Sequence, residues 1–169
     1  MVVVDNNVLS SLAKISRLEL LPGLFDDVGT VSSVFDELSQ DAVAGYEFVG
    51  RIDDVKAYRG GWLEIRSLTE AELQLADDVA DATLAFTDAE CIAVAQNRDE
   101  RLLTDDGHAG EMAAQRGVEV WDLKLLLEAA LVRDLIASKS ALSSVIDSLR
   151  ENDGYRFSEQ DRADLFEYL

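Results

Sequence analysis

A chain of 169 residues with 48% hydrophobic content is sufficient for one domain with a real core, which excludes a disordered polypeptide. With 34 acidic against 15 basic residues the net charge is −19, so most of the surface repels nucleic-acid phosphate at ordinary ionic strength. No run of about 18 uncharged apolar residues occurs, no basic region precedes the opening "MVVV", and the single Cys91 precludes an internal disulfide, so a cytoplasmic protein without a membrane span or signal peptide is expected.

Val2 to Val4 form a β-branched run ending in Asp5, the pattern of a buried parallel strand that delivers a polar residue at its carboxyl edge. In "NNVLSSLAKISRLELL" the apolar positions Val8, Leu9, Leu12, Ile15 and Leu18 recur at helical spacing, and Pro22-Gly23 is expected to stop that helix. Val28 to Val31 read as a short extended stretch, followed by Ser32 or Ser33 as N-cap of a helix carrying Val34, Phe35 and Leu38. "WLEIRSL" reads as a strand, and Thr69 to Glu72 as a capping box opening the helix "TEAELQLADDVADATL". "DAECIAVAQNRDE" is an Ala-rich helix, "RLLTDD" a strand ending in acid, and "GHAGEMAAQRG" a short helix stopped by Gly117. "VEVWDL" is a further strand, "KLLLEAALVRDLIA" is strongly helical and suits core or dimer contact, and two helices follow from Ser138, one over Ala141 to Leu149. Strands alternating with helices predict an α/β fold with a mainly parallel sheet, in one compact domain.

In such a sheet, ligands bind beyond the carboxyl ends of the strands. Asp5 ends the first strand, and Asp105 and Asp106 end "RLLT"; Asp88 and Glu90 open the Ala-rich helix, and Glu37 lies between Phe35 and Leu38. Singly, each has a plain structural reading: Asp88 or Thr87 as a helix cap, Glu90 as a favourable charge in a first turn, Glu37 as one acid among 34. Together they lack basic neighbours in sequence, and carboxylates that converge raise one another's pKa unless a cation is present. Oxygen donors without a His or Cys cluster suit Mg²⁺ or Mn²⁺ rather than zinc, and carboxylate-held hard ions serve phosphoryl transfer. No G-x-G-x-x-G or Walker-A stretch supports a Rossmann-type nucleotide binder.

The lesser features are weaker. His108 and Cys91 read as a loop residue and a buried filler, and Asn6, Asn7 and Ser10 as neighbours of the acids or ordinary turn residues. Lys14, Arg17, Arg51, Lys56 and Arg59 are among the few cations available for RNA backbone contact, with surface ion pairing as the equal alternative for the loop from Arg51 to Arg59. Salt near 1 M screens charge over about 3 Å, and only four of the fifteen cations are lysines, so the charge also fits a salt-adapted microbe, a halophilic archaeon.

Several segments, in order, resemble the PIN-domain nucleases. "VVVDNNVLSSL" is similar to the family's opening strand and helix, "VSSVFDEL" to the segment bringing its glutamate, "TDAECIAVAQ" to the stretch with its third acid, and "LLTDDGHA" to the strand end with its last aspartate. The tail "GYRFSEQDRADLFEYL" resembles a prokaryotic PIN lineage with an extra C-terminal helix pair. The resemblance implies a three-layer α/β/α fold with a mainly parallel central sheet, residues 1–137 forming the nuclease domain and 138–169 a helical extension packed on it. It implies Asp5, Glu37, Glu90 and Asp106 as catalytic acids, with Asp88 the alternative to Glu90 and Asp105 the alternative to Asp106 as Mg²⁺ or Mn²⁺ ligand. Of Asp105 and Asp106, adjacent at a strand end and facing opposite ways, one is expected at the metal and the other at a helix cap or a bridging water. The activity implied is a metal-dependent endoribonuclease, either a VapC-like toxin paired with a small antitoxin or an RNA-processing relative, commonly a homodimer. The alternative is a non-catalytic PIN-like RNA-binding or scaffold protein.

Overall fold

The computed structural model describes residues 1–43, 45–80 and 83–169. In chain order the elements are β1 (Val2–Val4), α1 (Asn6–Lys14), α2 (Leu20–Leu24), β2 (Val28–Val31), α3 (Ser32–Val43), α4 (Phe48–Asp54), a 3₁₀ turn (Ala57–Arg59) and β3 (Leu63–Arg66). Then come α5 (Glu70–Val79), α6 (Phe86–Arg98), β4 (Arg101–Leu103), α7 (Gly107–Gln115), β5 (Val120–Trp121), α8 (Leu123–Val132), α9 (Lys139–Ser148), a π turn (Leu149–Asp153) and α10 (Glu159–Glu167).

The five strands pair in the order β3-β2-β1-β4-β5, every pairing parallel, with helices on both faces in a three-layer α/β/α arrangement. Three consecutive valines suit β1 because a central parallel strand is covered on both faces, and all three are fully buried. Strand order reverses at β1, flanked by β2 and β4, so the carboxyl ends of β1 and β4 form the crevice where this topology places ligands. Asp5 and the Thr104–Asp106 turn emerge there, tied together by the Asp5 N–H donating to the Leu103 carbonyl at 3.1 Å. Helix α6 packs on β1, β2 and β4, bringing its first turn to the same rim.

Three local expectations are corrected. The first helix ends at Lys14, where Ser16 takes a left-handed φ of 56° and the Arg17 N–H turns back to the Leu12 carbonyl at 2.8 Å. Pro22 and Gly23 therefore stop nothing; they lie inside α2, a proline being tolerated in a first turn where its missing N–H has no helical partner. The helix over "KLLLEAALVRDLIA" closes at Val132, with Asp134 left-handed at φ 57°. Helix α3 begins at Ser32 itself, and the Ser33 hydroxyl is engaged elsewhere, as described below. The Thr69 capping box of α5 is formed in both directions.

Strand β3 hides a cation. Leu63 is buried but Ile65 is exposed, and Arg66 turns inward to pair with Glu100 and, at 2.8 Å, with Asp27. Gly29 on β2 permits this, because a Cβ there would lie 2.1 Å from the Arg66 Nε. The C-terminal residues return to the body: the π turn touches α1, α10 touches α8, and Lys124 on α8 pairs with Asp161 at 3.0 Å and Asp164 at 2.7 Å. No helix among the described residues is long and apolar enough to cross a membrane.

Candidate metal centre

Asp5 is the centre of the site. Its side chain caps α1, Oδ1 accepting the Val8 N–H at 2.7 Å, while Oδ2 is buried with no hydrogen-bond partner among the described residues. The residue is 1% exposed. Burial raises its carboxyl from 3.8 to about 7; the Thr104 side chain and the Val8 N–H oppose the rise, and the charges of Asp88 and Asp105 add to it. Behind it, the Thr30 hydroxyl donates to the Val4 carbonyl at 2.6 Å and fixes the strand end.

The adjacent acids of the turn after β4 diverge, as their alternating directions require. Asp106 caps α7, accepting the Ala109 N–H at 2.8 Å. Asp105 points the other way: Oδ1 accepts the Leu123 N–H at 3.0 Å and the Tyr155 hydroxyl at 3.4 Å, and Oδ2 is again buried and without a partner among the described residues. Burial raises Asp105 to about 6, opposed by the Leu123 N–H and assisted by the charge of Asp122.

Helix α6 contributes the third corner. Its N-cap is Ala85, which has no side-chain cap, so neither Thr87 nor Asp88 serves as one. Asp88 is half-buried and raised to about 6, chiefly by burial and then by the charges of Asp106 and Glu37. Glu90 is buried one half-turn further on, its Oε2 accepting the Ser33 hydroxyl of α3. Glu37 of α3 is held from two sides, by Asn6 Nδ2 at 2.8 Å and the Thr87 hydroxyl at 2.6 Å, and Asn6 is braced by Ser10 at 3.0 Å. Cys91 lies beneath, fully buried, its thiol pushed up by burial and by the charges of Asp5, Asp88, Glu90 and Glu37.

The charges of these acids share one neighbourhood: Asp88 and Asp105 act on Asp5, Asp106 and Glu37 on Asp88, and Glu90 acts with Asp5, Asp88 and Glu37 on Cys91. Among the described residues, none of these acids has an ion pair with a lysine or arginine. Oxygen donors, two of them buried and unpartnered, fit a hard divalent cation. No three His, Cys, Asp or Glu groups among the described residues are close enough to enclose one ion, so a cation here would draw part of its shell from water. Ser33, Thr87, Thr104 and Tyr155 were not marked as site residues from sequence. Only the hydroxyls' positions beside acids two or three residues away could have flagged the threonines.

The sequence-designated cations have other partners. Lys14 pairs with Asp153 at 2.7 Å, Arg17 with Glu19 at 3.2 Å, Lys56 with Asp53 at 2.5 Å and Arg59 with Asp53 at 2.8 Å. Arg51 donates to the Ala13 carbonyl at 2.6 Å, at the end of α1. Lys14 alone among them lines a cavity with Asp105, of about 280 Å³. The His108 ring lies 3.0 Å from the Thr83 hydroxyl.

A family model described as PIN domain (DUF3368) matches residues 1–167, and the chain belongs to the PIN-domain family. PIN domains are generally nucleases that need a divalent metal. Two solved structures share the fold. A PilT N-terminus domain protein, SSO1118, from the hyperthermophilic archaeon Sulfolobus solfataricus P2 is 16% identical, with a TM-score of 0.52 over 77% of this chain and 92% of that one. PAE2754 from Pyrobaculum aerophilum is 17% identical, with a TM-score of 0.52 over 76% of this chain and 88% of that one. No curated protein matches the chain.

Proposed function

We propose that this protein is a Mg²⁺- or Mn²⁺-dependent endoribonuclease whose centre is built on Asp5, Asp88, Asp105, Asp106 and Glu37. The observation that carries the reading is Asp5: a buried carboxylate with one oxygen unpartnered, beside further acids and with no ion pair to a cation, is stable as an anion only when a cation completes it. In this reading Asp88 takes the third acidic place because it shares its field with Asp106 and Glu37, and Glu90, one oxygen of which accepts the Ser33 hydroxyl, stands beside it.

The divalent ion, when bound, supplies an activated water and neutralises charge on the phosphodiester. The protein's own groups do the rest. The N–H groups of Val8 and Leu123 each hold one oxygen of Asp5 and Asp105 and leave the other to act as a ligand, while the Ala109 N–H holds one oxygen of Asp106. Asn6 and Thr87 fix both oxygens of Glu37, which suits a ligand acting through water. Lys14, like Arg17, Arg51, Lys56 and Arg59, acts in the fold through the partner named above, and it alone of the five also lines the cavity beside Asp105 where an RNA phosphate would approach.

The wider role is VapC-like: a cytoplasmic homodimer controlled by a small antitoxin. Its test is whether a short DNA-binding antitoxin is encoded beside the protein and silences the nuclease when added. The chemistry is tested directly by incubating purified protein with labelled RNA in high salt. Cleavage with Mn²⁺ or Mg²⁺ that stops in excess chelator is the expected result, and cleavage that persists in chelator refutes the reading.

A further inference from the structure

The residues after α9 are fastened to the beginning of the chain. Asp153 Oδ2 accepts the Ser11 hydroxyl at 2.6 Å and Oδ1 accepts Lys14 Nζ at 2.7 Å, both from α1, the helix that Asp5 caps. Gly154, left-handed at φ 78°, reverses the backbone, and the Tyr155 N–H returns to the Leu149 carbonyl at 3.1 Å. The Tyr155 ring sits edge-on to Phe157 with centroids 4.8 Å apart, and its hydroxyl reaches Asp105 Oδ1 at 3.4 Å. That oxygen also takes the Leu123 N–H, so two donors from different elements, α8 and the tail, converge on one atom while Oδ2 stays buried and unpartnered. Asn7, Ser10, Lys14, Asp105, Asp153 and Tyr155 line the cavity of about 280 Å³ that results.

We infer that Tyr155 is a positioning residue of the metal centre: with the Leu123 N–H it holds Asp105 by one oxygen and presents the other to the cation, which makes residues 149–157 a wall of the site. The inference rests on the metal-centre reading above. A single backbone donor leaves a carboxylate free to swing about its last torsion; a second donor on the same oxygen restricts that swing. Groups that orient a metal ligand from behind are worth about 10–100-fold in metal affinity, and a hydroxyl at 3.4 Å belongs at the lower end of that range. Ser11 and Lys14 act one step further back, by fixing Asp153 and hence the turn that aims the ring.

The test is calorimetric titration of Mn²⁺ into the metal-free full chain, comparing wild type, Tyr155→Phe, Asp105→Asn and the double variant, with melting in chelator as a control. Tyr155→Phe keeps the ring and its packing. The expected result is an unchanged melting temperature in chelator, an affinity for Mn²⁺ about tenfold weaker, and a double variant no weaker than Asp105→Asn alone. Tyr155→Phe binding Mn²⁺ as the wild type does, or its loss adding in full to that of Asp105→Asn, overturns the inference and leaves the metal centre standing. A wild type that takes up no Mn²⁺ overturns the metal-centre reading itself.

Discussion

Asp5→Asn separates folding from chemistry at the most buried acid of the site. The substitution keeps the cap, since an asparagine Oδ1 accepts the Val8 N–H as well as aspartate does. It removes a carboxyl whose folded-state pKa is about 7 against 3.8 in the open chain. The folded state therefore binds the proton more tightly, and the stability this confers is complete below pH 3.8 and lost as pH rises through 7. At about 1.4 kcal/mol per pH unit, the displacement from 3.8 to about 7 amounts to ~4 kcal/mol at pH 8, an upper bound because the site relaxes and admits water. For a chain of this size that is a rise of roughly 10 °C in melting temperature for the variant. The assay is thermal melting in chelator and high salt at pH 5 and pH 8. Asp5→Asn is expected to melt above the wild type at pH 8 and by only about a third of that margin at pH 5, while Mn²⁺ stabilises the wild type far more than the variant and only the wild type cuts RNA. A variant less stable than the wild type at pH 8, or stabilised equally by Mn²⁺, refutes the argument that Asp5 is a strained anion awaiting a cation.

Other outcomes follow from the same geometry. Asp88→Asn should depress single-turnover cleavage at least about tenfold more than Glu90→Gln; the reverse order would return the third acidic place to Glu90. Gly29→Ala drives a methyl into the Arg66 guanidinium, which Glu100 and Asp27 keep from moving, and should cost about 3 kcal/mol in denaturant unfolding; a cost near zero would mean that Arg66 is not fixed. Glu72→Gln breaks the contact of a fully buried carboxylate with Arg98, at 2.7 Å, and should cost a similar ~3 kcal/mol. In the wild type that pair keeps Glu72 ionised down to about pH 2, so its stabilisation is present above 4.5 and vanishes only as pH falls through 2, which acid titration of the unfolding midpoint would follow. Lowering salt from about 1 M to about 0.1 M weakens screening, lengthening the reach of each charge from about 3 to about 10 Å, and with a net charge of −19 the melting temperature should fall; a rise would contradict salt adaptation.

The strands and most helices were readable in the sequence because their signals are local: three valines for β1, a capping box for α5, alanines for α6. What failed locally was also local. Pro22-Gly23 looks like a terminator, yet α1 had already stopped at a left-handed Ser16 that no residue type announces. Asp5, Asp105 and Asp106 could be singled out because ligands of a parallel sheet lie beyond its strand ends, and the three valines before Asp5 were enough to mark it as interior. The choice between Asp88 and Glu90 was not readable, since two residues apart on a helix start gives no way to know that a serine from α3 meets one of them. Arg66 facing inward and Tyr155 reaching Asp105 were hidden for the same reason. Each depends on a partner 34 or 50 positions away, and pattern periodicity carries no information at that range.

The clasp between α1 and the π turn spans 139 to 142 positions of sequence. Contacts so remote are late events in folding, because a long loop must close before they reward it. A polypeptide emerging from the ribosome displays Asp5 through Asp106 well before Asp153 and Tyr155 have been made. The flank behind Asp105 is therefore the last part of the pocket to set, and a nascent chain possesses the candidate acids before it possesses their final arrangement.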